Sequence, residues 1–357
     1  MRWQTLQADD GEPPALFGAG PIVRRFEAPQ FRGMTFYEVR ARSILNRVPP
    51  QSQMPFEWTV NPYRGCSHAC VYCFARNTHT YLDLDAGRDF DSQVVVKVNA
   101  DTLLRQELAR PTWRREHVAM GTNVDCYQRA EGRYELMPGI IEALTAAANP
   151  FSILTKGTLI LRDLELLKRA AEVTTVSVNV SVGFLDSKIW RSVEPGTPSP
   201  ARRLDVCRTL TDAGIGCGVL MAPVLPYLTD SPAQLEATVR AVAAASARHI
   251  TPMVLHLRPG AREWYFHWLQ EQHPSLGPLY RKLYGRGWYA PRSYSDEVAA
   301  RVRELARQVG LHCGGRTRAG ITARSSRPVG AMPAHSQPLH SQPVQSEPVE
   351  GGQLSLL

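Results

Sequence analysis

The sequence has no stretch approaching the roughly 20 consecutive apolar residues that a membrane-spanning helix requires, so no membrane crossing is expected. Its start, Met1-Arg2-Trp3-Gln4 followed by Asp9, Asp10 and Glu12, lacks the apolar core of a signal peptide, which points to a cytoplasmic protein. Cysteine is sparse: seven in 357 residues do not read as a disulfide framework. Apolar residues are not in short supply, and 43% hydrophobic with 21% charged excludes a wholly disordered chain. Acidic residues are the minority charge, 33 against 41 Lys and Arg, and the resulting +8 favours polyanionic partners.

What is present is an alternation. Residues 1–50 are rich in Pro, Gly and Arg, with little periodicity, and read as an irregular N-terminal arm holding one short helix around Phe36 to Leu45. From Phe56 onward short β-type runs alternate with amphipathic stretches, the signature of a parallel α/β fold. Strands are expected over residues 56–60, 94–98, 117–121, 151–155, 174–180, 216–222 and 252–257. Helices are expected between them, including 161–171, where Leu161, Leu164, Leu167 and Lys168 keep helical spacing, 201–213 and 234–247. These units are too few for a closed eight-stranded barrel. A partial barrel over residues 51–310, with C-terminal helices, is the preferred reading, and a doubly wound open sheet is the alternative. Beyond Arg324 the composition shifts to Ser, Pro, Gln and His, and Ser336-Gln337-Pro338 nearly repeats at Ser341-Gln342-Pro343. Residues 325–357 cannot bury enough apolar surface to offset their ordering entropy, so a disordered tail is expected.

Cysteine is concentrated where it is found at all. Gly65-Cys66-Ser67-His68-Ala69-Cys70-Val71-Tyr72-Cys73 directly follows the first core strand, at the end where parallel-barrel enzymes place their chemistry. Three thiolates at x3 and x2 spacing on one tight loop can hold three irons of a 4Fe–4S cluster, leaving the fourth iron open to a substrate. The alternative is a structural zinc site, with His68 or His79 as fourth ligand.

The spacing, with an aromatic residue just before the third cysteine, resembles that of the radical S-adenosylmethionine (SAM) superfamily. The flanking motifs are similar to those of its spore photoproduct lyase-like branch. They are Asn61-Pro62-Tyr63-Arg64-Gly65, Cys73-Phe74-Ala75-Arg76, Thr78-His79-Thr80-Tyr81-Leu82 and Gly121-Thr122-Asn123-Val124-Asp125. Leu154-Thr155-Lys156, Leu161-Arg162-Asp163-Leu164, Glu194-Pro195-Gly196, Pro198-Ser199-Pro200-Ala201-Arg202-Arg203-Leu204 and Ala222-Pro223-Val224 continue the match in order, over roughly residues 56–290. The resemblance implies a partial (β/α)6 barrel, with the strand at 94–98 an excursion outside the core six. It also implies that the cluster on Cys66, Cys70 and Cys73 chelates SAM through its amino and carboxylate groups. An electron from the cluster, delivered by an electron donor, then cleaves SAM to a 5′-deoxyadenosyl radical that abstracts hydrogen.

Further roles follow from the resemblance residue by residue. Tyr72 would pack beside the adenine, and Lys156 would contact the SAM carboxylate. Ser181, matched across a gap, and Asn179 are polar contacts of equal standing, while Asn123 and Asp125 would meet the ribose or the SAM amino group. Cys126 is the candidate catalytic thiol, returning hydrogen to the product radical through its weak S–H bond. It lies a few residues beyond the family's cysteine position, which Gly121 or Thr122 occupies here. The alternative is a small buried apolar residue, as Cys207 and Cys217 are read.

Two features point to nucleic acid. Residues 262–294 mix Trp264, Tyr265, Phe266, Trp268, Tyr280, Tyr284, Trp288 and Tyr289 with Arg281, Lys282, Arg286 and Arg292, a composition that suits stacking on bases and pairing with phosphate. The same rings could instead be the core of a helix pair closing the barrel. The chain ends in Gln353-Leu354-Ser355-Leu356-Leu357, which resembles the peptide that docks bacterial replication and repair proteins on the DNA sliding clamp, with Leu357 in place of the usual Phe. The sequence therefore supports a radical SAM enzyme acting on nucleic acid, in DNA repair. Its alternatives are a radical SAM enzyme with a peptide or small-molecule substrate, and a zinc-stabilised nucleic-acid-binding module without catalysis.

Overall fold

Six parallel strands carry the fold. The computed structural model describes residues 21–49, 52 and 54–314. Its strands are β1 Ile22–Arg24, β2 Thr35–Val39, β3 Leu45–Arg47, β4 Trp58–Val60, β5 Tyr63–Arg64, β6 Gln93–Lys97, β7 Val118–Met120, β8 Phe151–Thr155, β9 Val176–Ser181, β10 Cys217–Val224, β11 His249–Val254 and β12 His312–Cys313. The larger sheet runs β12-β11-β10-β9-β8-β7-β4-β3. Within it β4, β7, β8, β9, β10 and β11 pair with their neighbours in parallel, each helical crossover advancing one strand along the sheet. This is the partial (β/α)6 arrangement expected of the sequence. The antiparallel β3 borders β4, and the short β12 borders β11.

The strands form where apolar runs are buried on both faces. Val118, Ala119 and Met120 of β7 are all at most 1% exposed, and β10 is buried along nearly its whole length. Helices cover the sheet. Pro200–Asp212 and Pro232–Ala244 both open with Ser-Pro, in which the serine hydroxyl accepts the backbone N–H of Arg202 or Gln234 and proline pre-sets the first turn. Leu164–Val173 starts three residues later than its periodicity suggests, because a 3-10 turn, Leu159–Asp163, precedes it.

Two expectations are corrected. The short helix expected around Phe36 to Leu45 is not formed; Thr35–Val39 is a strand, paired with β6 on one side and β1 on the other. Long-range pairing decides it, since all five residues align with Gln93–Lys97 in parallel and Phe36–Glu38 also align with β1. The last core strand begins at His249 rather than residue 252, with Pro252 held inside it opposite Met221. The 94–98 segment lies outside the parallel six, as expected: as β6 it belongs to a second sheet of order β1-β2-β6-β5. Among the described residues no helix is long and apolar enough to cross a membrane. Residues 325–357, with their expected disorder and clamp peptide, lie outside the described residues.

Candidate active site at the cysteine loop

The loop that carries Cys66, Cys70 and Cys73 leaves β5 and has almost no regular structure of its own, so its shape depends on bonds to other segments. Gly65, at φ +85°, opens it where a Cβ would lie 2.6 Å from the Gln93 carbonyl. The Cys66 N–H donates to Phe90 O (2.9 Å), the Val71 N–H to Val193 O (3.0 Å) and the Gly196 N–H to His68 O (3.1 Å). The Gln128 side chain closes another contact, accepting the Ser67 N–H at 2.9 Å and donating to Gly65 O at 2.8 Å. Ala69 is held at φ 54°, a left-handed conformation that costs an L residue about 1–3 kcal/mol and persists only where the surroundings over-determine it.

Buried charged side chains fix the loop further. The Tyr72 hydroxyl donates to the carboxylate of Glu194, which is fully buried and paired at 2.5 Å with Arg203, itself 1% exposed. Arg203 also donates to Ser181 O at 2.7 Å. Burial alone would raise the Glu194 pKa, but Arg203 and Lys156 overcome it and hold the carboxyl below its ordinary value. His68 Nε2 lies 3.1 Å from Asp125 Oδ2, in close contact but without the alignment of a hydrogen bond. Asp125 also accepts the Thr155 hydroxyl and the Lys156 N–H, each at 2.6 Å. Against the upward push of burial, His68 and these donors bring its pKa down to about 2. Arg76, fully buried between the rings of Phe90 and Trp264, donates to Cys70 O at 3.1 and 3.0 Å and to Asp91 at 2.8 Å.

The residues singled out from the sequence gather at one end of the sheet. Asn123 follows β7, Lys156 follows β8 and Ser181 ends β9, and these are neighbouring parallel strands beside β4. Lys156 Nζ stands 5.8 Å from the centre of the Tyr72 ring. Ser181 is 4% exposed and offers its carbonyl to Arg203. Cys126 is 1% exposed; burial first, then Asp125 and Glu131, push its thiol pKa well up. Cys207 and Cys217 are buried in the core. Glu194, Arg203, Gln128 and Arg76 are structural essentials that spacing does not single out, because their partners are distant in the chain.

The donor set fits an iron–sulfur cluster better than zinc. The three loop cysteines are free thiols, Cys66 and Cys70 buried and Cys73 half-buried. Burial pushes the Cys70 thiol up to about 12 despite Lys156 nearby, so metal must displace its proton. Among the described residues no three Cys, His, Asp or Glu side chains converge on a single ion. Both histidines offered for zinc are engaged elsewhere, His68 with Asp125 and Gly196 and His79 with Gln93 O at 2.8 Å. A cluster makes neither demand, since each thiolate binds a different iron.

The family model of the Radical SAM superfamily matches residues 60–241. Protein Rv2578c of Mycobacterium tuberculosis (strain H37Rv) is 53% identical over 312 residues, 85% of this chain and 92% of that protein. Protein MJ0683 of Methanocaldococcus jannaschii is 29% identical over 193 residues, 54% of this chain and 69% of that one. Spore photoproduct lyase complexed with dinucleoside spore photoproduct has a similar structure, with a TM-score of 0.59 at 16% identity, covering 78% of this chain and 81% of that chain. A doubly substituted form of the lyase, with bound AdoMet and dinucleoside spore photoproduct, gives 0.59 at 15% identity over 77% and 80%. At such identities the likeness is one of fold.

Gly196 provides a direct test of how tightly the loop is docked. A Cβ there would lie 2.0 Å from Ser67 O and 2.9 Å from the His68 backbone, with no flexible side chain to yield. Gly196→Ala should destabilise the protein by about 1–3 kcal/mol and lower the iron retained after anaerobic desalting, measured by thermal melting and iron assay. Wild-type values for both would mean that the loop is not set by this contact.

Proposed function

The chain belongs to the radical SAM superfamily, and we propose that its substrate is nucleic acid and its context DNA repair. It is an enzyme whose three loop cysteines, Cys66, Cys70 and Cys73, would hold a 4Fe–4S cluster. When bound and reduced, that group supplies the electron for cleaving SAM to a deoxyadenosyl radical. The protein's own residues do the seating. Lys156 offers a cation at the end of β8 for the SAM carboxylate, Tyr72 offers a ring fixed by Glu194, and Asn123 and Ser181 provide polar groups at the ends of β7 and β9. Cys126 is proposed as the thiol that returns hydrogen; it adjoins Asp125, whose carboxylate touches His68 of the cysteine loop.

The observation that carries the nucleic-acid reading is a cation beside the loop that no described carboxylate neutralises. Arg258 is exposed, its guanidinium lies 5.5 Å from the ring of Phe74, the residue after Cys73, and it forms no ion pair with another described residue. Arg281, Lys282 and Arg286, later in the same segment, are likewise exposed without such a partner. An unneutralised cation beside the loop, in a segment that carries further exposed cations, suits a polyanion. The spore photoproduct lyase structure, alike in fold, is of a complex with a dinucleoside photoproduct, which supports the same reading.

The test is the rate of 5′-deoxyadenosine release from SAM under reduction, with single-stranded, duplex or ultraviolet-irradiated DNA added. At least one of these should accelerate it, and Cys66→Ala, Cys70→Ala and Cys73→Ala should each lose cluster iron and release while keeping a near-normal melting temperature. Indifference to every nucleic acid, with acceleration by a peptide or small metabolite, would move the substrate to that class.

The DNA context extends to the sliding clamp. The peptide Gln353-Leu354-Ser355-Leu356-Leu357 would place apolar anchors in a hydrophobic pocket and raise the enzyme's local concentration on DNA. Titrating the whole chain and one lacking residues 353–357 against a bacterial clamp should show binding only for the whole chain. Equal affinity for both, or none for either, would sink this part of the proposal.

A further inference from the structure

The segment after β11 carries rings that the core does not use. Tyr265, Trp268, Tyr280 and Tyr284, on the helices Ala261–Gln272 and Gly277–Tyr284, are buried together. Their hydroxyls are satisfied: Tyr265 donates to Tyr280 at 2.9 Å, Tyr280 to Pro226 O at 2.7 Å and Tyr284 to Leu255 O at 2.7 Å. Trp288 and Tyr289 are different, at 48% and 49% exposed. Their backbone is nevertheless fixed. The Trp288 carbonyl accepts the Leu257 N–H at 2.7 Å, and Tyr289 bridges antiparallel to His256. The preceding turn is held by Arg262, which donates to Gly287 O at 2.6 Å and Gly285 O at 2.7 Å. A fixed backbone that holds two large rings half in water marks a surface for a partner.

Its position says which partner. The Tyr289 ring lies 5.7 Å from the His256 ring, which lies 5.8 Å from the Phe74 ring, next in sequence to Cys73. Arg258 spans the same ground, 5.5 Å from the Phe74 ring and 3.5 Å from the Tyr289 hydroxyl. The rings of Tyr289, His256 and Phe74 and the Arg258 guanidinium therefore form a ledge leading to the cysteine loop, and Trp288 adjoins Tyr289 in the chain. Aromatic faces accept any base by stacking, and a guanidinium meets phosphate in a fork of parallel bonds. A base inside a duplex already has both faces covered and has none to offer. We propose that Trp288 and Tyr289 are a stacking ledge for unpaired bases, with Arg258 on the adjoining phosphate, and that the substrate reaches the cysteine loop single-stranded or locally unpaired. This rests on the nucleic-acid reading above and specifies the form of nucleic acid taken.

The experiment is fluorescence anisotropy with anaerobically reconstituted holoenzyme and two labelled DNA probes, a short single strand and a hairpin duplex of the same length, over a range of salt. The single strand should bind more tightly. Trp288→Ala and Tyr289→Ala should each weaken single-strand binding by about tenfold and leave duplex binding unchanged, while Tyr289→Phe behaves as wild type. Arg258→Gln should reduce the salt slope for the single strand by about 0.7. Both rings are exposed, so unchanged melting temperatures are expected and confirm folding. Full single-strand affinity in both alanine variants, or equal affinity of the wild type for the two probes, would overturn the ledge while leaving a nucleic-acid substrate standing. Failure of the wild type to bind either probe would remove the nucleic-acid reading itself. Preference for a poly-glutamate peptide over both probes would assign the cations to an acidic protein partner and overturn the ledge as well.

Discussion

The buried pair of Glu194 and Arg203 is the interaction on which the arrangement of the site depends. Removing two charges from water costs several kcal/mol per ion, and a pair recovers that only with good geometry and with its other donors and acceptors satisfied. Here Glu194 also accepts from Tyr72, and Arg203 also donates to Ser181 O. The pair thus joins the cysteine loop, the end of β9 and the helix Pro200–Asp212, reinforcing the backbone bonds from Val71 to Val193 and from Gly196 to His68. Truncating either partner would strand a charge in the interior. Such a junction is costly as a source of stability and effective as a source of position.

From that junction the rest of the site follows. Parallel strands in sequential order bring the ends of β7, β8 and β9 beside the loop that leaves β5. Asp125 then ties the segment after β7 to the end of β8 through Thr155 and Lys156, while its contact with His68 reaches the cysteine loop. Arg76 secures the opposite side by holding the Cys70 carbonyl under Trp264. Three thiols on an irregular loop are placed by charged groups in the interior rather than by a helix or strand. A cluster with one open iron needs its ligands to be placed but not crowded, and beside this loop stand Phe74 and the exposed Arg258.

Much of this was legible in the sequence because it is local. The run at Phe151–Thr155 is readable to the residue, and the x3 and x2 cysteine spacing needs only a short window, whereas the Ser-Pro caps set two helix starts one or two residues earlier than the periodicity does. The second sheet was harder. The expected helix around Phe36 to Leu45 misses the strand Thr35–Val39 because its partner β6 lies some 58 residues away, a separation also spanned by the Asn99 to Ala41 bonds. Glu194 and Arg203 were visible only as letters within a family motif. Tyr72 and Glu194 are 122 residues apart, and no periodicity connects them. Which of eight rings in the 264–289 segment face water was equally hidden, since the helix Ala261–Gln272 mixes aromatic residues around its whole circumference and packing alone sorts them.

The most direct test of the account is what metal the cysteine loop holds. Protein purified without oxygen, assayed for iron, sulfide and zinc and examined by electron paramagnetic resonance after reduction, answers it. A brown solution with roughly four irons and four sulfides per chain, and a reduced-cluster signal that changes on adding SAM, is the predicted result. Colourless protein with one equivalent of zinc, or a cluster signal indifferent to SAM, would contradict it.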